Sequence, residues 1–172
     1  DRFSNPEWVA SDLIGQAEHD NLAQCILISK DKKLLQKVNI ELIKQLKKIP
    51  RVSVARKSLS NNGILMYVNS DTKIIEIVNK IAPEHLELNV KNYKSYVSKI
   101  RNAGSICLGK YAVMAMTDYN VGSNHVLPTN GSAKYSSGIS VNEFYKRISY
   151  INLSKKGIES LGPSVITLAN YE

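Results

Sequence analysis

The sequence predicts an α/β fold carrying a largely parallel sheet. Short apolar runs alternate with amphipathic segments as far as Leu108. Two of these runs, Ala23–Ser29 (AQCILIS) and Gly63–Asn69 (GILMYVN), are nearly continuous in apolar residues, as in strands covered on both faces. Apolar residues make up 43% of the chain and charged residues 22%, which excludes a mainly disordered polypeptide.

The elements follow in order. Asn5 can cap a helix, Pro6 suits its first position and Glu7 complements its dipole, so a helix is expected over Trp8–His19. Ala23–Ser29 is the first strand. Leu35, Val38, Leu42, Leu46 and Ile49 recur at helical spacing and predict an amphipathic helix over Asp31–Ile49, stopped by Pro50. Val52–Ala55 is expected as a short strand, and Asn61-Asn62-Gly63 as a turn before the strand Gly63–Asn69. Asp71 is read as the cap of a helix buried through Ile74, Ile75, Ile77 and Val78 and ended by Pro83. A further helix is expected over Asn92–Ile100. Ser105–Leu108, between Gly104 and Gly109, completes the strands. From Tyr111 to Gly138 small and polar residues crowd together, which predicts a long loop region of the kind that carries function. Two segments result: an α/β domain over residues 1–140 and an appended unit over 141–172, with a strand near Tyr150–Leu153 and a helix after Pro163.

Charge and composition exclude several classes. A chain of 172 residues favours one domain, or one domain plus a tail. The net charge is +8, but the lysines between Lys30 and Lys57 largely fall on the solvent faces of the predicted Asp31–Ile49 helix. No RNA-recognition motif accompanies them, so no nucleic-acid partner is expected. No apolar run is long enough to span a membrane, and Asp1-Arg2-Phe3 begins no signal peptide. Cys25 and Cys107 form neither a disulfide framework nor a CxxC pair, which points to a reducing, cytoplasmic setting.

Chemistry gathers around the three histidines, His19, His85 and His125. Gln16 and His19 are three apart at the end of the first helix, where two side chains can converge. Gln16 continues the face of Val9 and Leu13, so its amide needs a partner, a water or a ligand. Glu84 and His85 follow Pro83 where the chain changes direction, and adjacent Glu and His can activate water and accept a proton. Asp118–Thr129 (DYNVGSNHVLPT) offers a carboxylate and an imidazole on a loop. His19 and Asp118, with Gln16 as an unusual amide donor, form a candidate ligand set for zinc. Each residue also has an ordinary reading: His19 as a dipole complement, Glu84-His85 as a solvated surface pair, Asp118 as a turn organiser. No nucleophile elbow and no phosphate-binding glycine loop is present.

Five blocks in order carry a resemblance: Asp12–Asp20 (DLIGQAEHD), Ala82–Glu87 (APEHLE), Ala103–Gly109 (AGSICLG), Asp118–Thr129 and Ser136–Val141 (SSGISV), followed by Phe144 and Lys146-Arg147. The chain resembles the C-terminal part of the histidinol dehydrogenase family. The resemblance implies a zinc-dependent enzyme that oxidises L-histidinol to L-histidine through the aldehyde, with two NAD molecules used in succession. It implies Gln16, His19 and Asp118 as zinc ligands that also touch substrate. Glu84 and His85 would be the acid–base pair, with His85 also at the substrate, and Glu172 a further substrate contact. It implies an incomplete dinucleotide-binding-like (Rossmann-like) three-layer domain, and a homodimer whose mostly helical tail, 141–172, reaches into the partner's site.

The resemblance also implies that the NAD-binding residues and a substrate-binding serine precede Asp1, and that a fourth zinc ligand follows Glu172. The piece alone is therefore expected to be inert. Two local departures stand out: Val113-Met114 where Pro-Glu is usual, and Thr117 where glycine is usual. Thr117 raises the question of backbone strain beside Asp118, since threonine adopts positive φ at a cost. Three rival readings remain at this stage: a non-catalytic remnant, a basic RNA-binding module whose affinity falls with salt, and a metal-dependent hydrolase.

Overall fold

The structure is a computed structural model and describes residues 1–171. It divides into two compact units, Asp1–Ile139 and Ser140–Glu172.

The first unit opens with helix α1, Pro6–Ala17. Asn5 caps it by accepting from the Glu7 amide, and Pro6 occupies the first turn. Strand β1, Ile26–Ser29, leads into helix α2, Lys32–Gln45, whose cap Asp31 accepts from the Lys33 and Leu34 amides. Both helices start where the caps predict and end earlier than expected. Val52–Ala55 is not a strand: it opens helix α3, Val52–Asn62. Ala55 and Ser58 lie on one helical face and are fully buried, and the Ser58 hydroxyl donates to the Ala23 carbonyl at 2.9 Å. That spacing of small residues outweighs the β-propensity of two valines. Strand β2, Ile64–Tyr67, then pairs in parallel with β1, Ile26 opposite Ile64.

Helix α4, Asp71–Ile81, is capped by Ser70 rather than Asp71, whose carboxylate is the first-turn acid instead. Its apolar face packs around Val78 with Ile74 and Ile75 half-buried. The helix ends at Ala82, which adopts a left-handed conformation at φ 53°. Pro83 disfavours the right-handed helical region at Ala82, and the chain turns to positive φ there. Strand β3, His85–Leu88, is an element that the sequence reading lacked. The expected Asn92–Ile100 helix shrinks to a single turn, α5, Lys94–Val97. Strand β4, Ser105–Leu108, has its expected bounds and pairs in parallel with β3, His85 opposite Ser105. The long loop region holds a short helix, α6, Met114–Tyr119, and a 3₁₀ turn at Ser132–Lys134.

The strands are all parallel, but among the described residues they form two separate two-stranded sheets, not one. The fold is mixed α/β. Apolar packing is likewise divided. Val9, Ala10 and Ile14 of α1 pack on Leu34, Val38 and Leu42 of α2. A second cluster joins Val78, Leu88, Tyr96 and Ile100.

In the second unit Tyr150–Leu153 carries no strand. Helix α7, Lys155–Ala169, starts well before Pro163 and contains it. Ser154 caps the helix through the Gly157 amide, and this strong start fixes the helix far upstream of the proline. Among the described residues no helix is long and apolar enough to cross a membrane.

Candidate functional site

Glu84 and His85 stand where α4 gives way to β3. The left-handed Ala82 and Pro83 turn the chain, and β4 then grips it: the Gly104 amide donates to the Pro83 carbonyl at 2.9 Å and the Ser105 amide to the Glu84 carbonyl at 2.8 Å. His85 is largely buried, with Nε2 3.8 Å from Glu84 Oε1. Its Nδ1 is buried and has no hydrogen-bond partner among the described residues. An imidazole nitrogen in that state is available to a ligand or a water.

Gln16 is half-buried in the last turn of α1. His19 lies beyond the helix, exposed, with its amide donating to the Gln16 carbonyl at 3.3 Å. Its side chain therefore has loop rather than helical geometry. Asp118 is half-buried on α6. Thr117 is helical, without positive φ, and its hydroxyl donates to the Met114 carbonyl at 2.7 Å. The glycine-to-threonine departure thus brings no backbone strain. His125 is exposed in the loop that follows. Glu172 lies outside the described residues. Among the described residues no three His, Cys, Asp or Glu side chains converge as a metal site. Imidazole, carboxylate and amide oxygen are nevertheless donors that zinc accepts, so His19, Asp118 and Gln16 fit the ion in kind.

Two residues that the sequence reading passed over join these elements. The Asp12 carboxyl of α1 and the Glu87 carboxyl of β3 influence each other's ionisation. Glu87 Oε1 also accepts from the Met114 amide, the first residue of α6, at 3.0 Å. Burial, then the Asp12 charge, pushes the Glu87 carboxyl up to about 7. Burial raises Asp12 as well. Cys107 on β4 is raised by burial first, then by the charges of Glu87, Asp118 and Asp12. The signal was present: Asp12 is four residues before Gln16, and Glu87 two after His85, each on its neighbour's side of the element.

The comparisons with known proteins agree along the whole chain. The family model described as Histidinol dehydrogenase matches residues 1–172. A histidinol dehydrogenase of Pelagibacter ubique is 82% identical over 172 residues, covering 100% of this chain and 40% of that protein. One from Listeria monocytogenes is 42% identical over the same 172 residues, again 40% of its own length. The crystal structure of histidinol dehydrogenase from Elizabethkingia anophelis superposes with a TM-score of 0.87 at 40% identity, covering 98% of this chain and 39% of that one. The chain spans about 40% of the length of the curated relatives it matches. On sequence and on fold alike, it belongs to the histidinol dehydrogenase family.

Proposed function

We propose that this chain is the C-terminal part of a zinc- and NAD-dependent histidinol dehydrogenase, which oxidises L-histidinol to L-histidine through the aldehyde. The observation that carries the reading is the half-buried Glu84–His85 pair at a strand start, with His85 Nδ1 buried and unpartnered among the described residues, in a chain that matches the family from end to end. In this reading His85 takes the alcohol proton as the first hydride leaves carbon. Glu84 then takes a proton from water as that water adds to the aldehyde carbon, and the second hydride leaves the hydrate. Two NAD molecules, bound in succession, would each accept one of the hydrides. Zinc, when bound to Gln16, His19 and Asp118, holds and orients the amino alcohol.

The reading extends to Asp1–Ile139 as most of one incomplete dinucleotide-binding-like domain, supported by the parallel β1–β2 pairing across α2 and α3. It includes a homodimer built through the second unit, whose Phe144, Ile151, Leu161 and Ile166 are exposed, and Glu172 as a substrate contact. It places the enzyme in the cytoplasm, consistent with the free thiols of Cys25 and Cys107. The piece alone is inert in this reading.

The test uses the full-length protein. Wild type should reduce NAD with histidinol as substrate. His19→Ala should lose zinc on dialysis, whereas His85→Ala should keep zinc and oxidise slowly. Full zinc and full turnover in His19→Ala overturn the ligand assignment. A wild type that leaves NAD unreduced overturns the reading.

A further inference from the structure

We propose that Asn79 of α4 is a positioning residue for the Glu84–His85 pair: its side-chain amide clamps the chain at 99–102, and the start of β4 that follows holds the Glu84 backbone in place. The inference rests on the functional reading above and concerns how the pair is held.

The clamp is made of directional bonds. Asn79 Nδ2 donates to the Lys99 carbonyl at 3.0 Å. Asn79 Oδ1 accepts from the Arg101 amide at 2.7 Å and from the Asn102 amide at 3.2 Å. Asn102 returns a bond, its Nδ2 donating to the Asn79 main-chain carbonyl at 2.9 Å. That carbonyl lies in the last turn of α4, where helix carbonyls lack an intrahelical partner. Asparagine suits the place because its oxygen can take two N–H groups while its nitrogen serves a carbonyl. An aspartate of the same shape accepts but cannot donate.

The clamp and the candidate site lie on opposite sides of one strained turn. Asn79 is followed by Ala82, left-handed at φ 53°, and then by Pro83, Glu84 and His85. Such a conformation persists in an L-residue only where its surroundings hold it. Upstream the hold is Asn79 on 99–102. Downstream the Gly104 amide donates to the Pro83 carbonyl at 2.9 Å and the Ser105 amide to the Glu84 carbonyl at 2.8 Å. Both holds come from the stretch 99–105, so the turn is fastened at each end to one piece of chain. Without the upstream hold that stretch can slide along α4, and the Glu84 carbonyl moves with it.

Apolar packing leaves this register unset. Ile100 is buried in one cluster with Val78 of α4, which keeps the loop near the helix. Hydrophobic burial is non-directional, so it resists departure of the loop more than sliding. The same burial leaves an anchor when the amide is removed, so the variants should fold. The chemistry is sensitive to a slide. Proton transfer needs Glu84 and His85 within hydrogen-bond reach of the atoms they serve. A misplacement of about 1 Å can cost on the order of 100-fold in rate.

The experiment uses the full-length protein as wild type, Asn79→Ala, Asn79→Asp, His85→Ala, and His85→Ala combined with each Asn79 change. Amide hydrogen exchange at Gly104 and Ser105 reads the hold, and steady-state kinetics with histidinol read the reaction. Asn79→Ala should exchange faster at both amides and keep its zinc. Its kcat should fall about tenfold while KM stays within about twofold of wild type. Asn79→Asp keeps the acceptor and loses the donor, so it should fall between the two. In the His85→Ala background either Asn79 change should cost less than about twofold, because the proton acceptor it positions is gone. A purely structural asparagine would cost the same factor in both backgrounds, and that result overturns the proposal. Unchanged exchange at Gly104 and Ser105, or an unchanged kcat in Asn79→Ala, overturns it too. Should Asn79→Ala fail to fold, Asn79→Asp decides by the same readouts. A wild type that leaves histidinol unoxidised sinks the functional reading instead, and the exchange data still decide whether the clamp exists.

Discussion

Gly104 packs on the backbone of Glu84 so closely that a Cβ at 104 would stand 2.6 Å from the Glu84 carbonyl oxygen. The same Cβ would meet Pro128 Cδ at 3.1 Å. Neither neighbour can yield easily. The Glu84 carbonyl is held by the Ser105 amide, and the Pro83 carbonyl by the Gly104 amide. Gly104→Ala should therefore shift the Glu84–His85 turn and cost about 1–3 kcal/mol, as overpacking does. Urea denaturation checks the stability. On the functional reading, histidinol turnover should fall by more than the stability loss alone would produce.

The Glu87 carboxyl sets a pH dependence with a definite sign. Its folded value is about 7 against an ordinary 4.5. Between those values the folded state holds a proton that the unfolded state releases. Stability is therefore greatest on the acid side of this window and declines as pH rises through it. Melts taken between about pH 5 and pH 8 should show the decline in wild type and a flatter profile in Glu87→Gln. Parallel profiles in the two proteins would assign the dependence to other groups.

Ala82 occupies the left-handed region, at φ 53° and ψ 64°, and its amide closes the end of α4 on the Val78 carbonyl. An L-residue pays roughly 1–2 kcal/mol for that conformation. Ala82→Gly relieves this cost while losing a buried methyl and adding about 0.5–1 kcal/mol of backbone entropy. Its stability should stay within about 1 kcal/mol of wild type. The same exchange at the buried, helical Ala10 should cost about 1 kcal/mol or more. Paired denaturant melts of the two variants check the contrast.

Tyr96 donates its phenol to Asp71 Oδ1 at 2.5 Å, and Lys30 Nζ lies 2.6 Å from the same oxygen. The Lys30 and Tyr96 bonds hold the Asp71 carboxyl below its usual range, and burial with the Asp71 bond pushes the Tyr96 phenol up to about 12. Tyr96→Phe should cost about 1–2 kcal/mol at neutral pH. Because the Asp71 value is depressed on folding, the contribution is present above the ordinary carboxylate value and fades as pH falls through the folded one. The gap between wild type and Tyr96→Phe should thus narrow in acid, as acid and neutral melts would report.

What the sequence made legible was local. Asn5 and Asp31 announced their helices, and the apolar runs around Ile26 and Ile64 announced parallel strands, because caps and periodicity act within a turn or two of chain. The Glu84-His85 pair could be picked out by chemistry alone. The misses share a cause in tertiary context. Val52–Ala55 reads as strand until Ser58 finds the Ala23 carbonyl. His85–Leu88 alternates polar and apolar residues over too short a run to be told from a loop, and becomes a strand by pairing with Ser105–Leu108. The split into two sheets leaves no mark in any window. Glu87 and Met114 are far apart in sequence, and a bond across that distance has no local pattern.

The Glu87 contact has a consequence for how this chain can drift over generations. Glu87 is met by the main-chain amide of Met114, not by its side chain. Every amino acid but proline supplies that N–H. Any substitution at 114 other than proline therefore keeps this donor to Glu87, whatever side chain it brings.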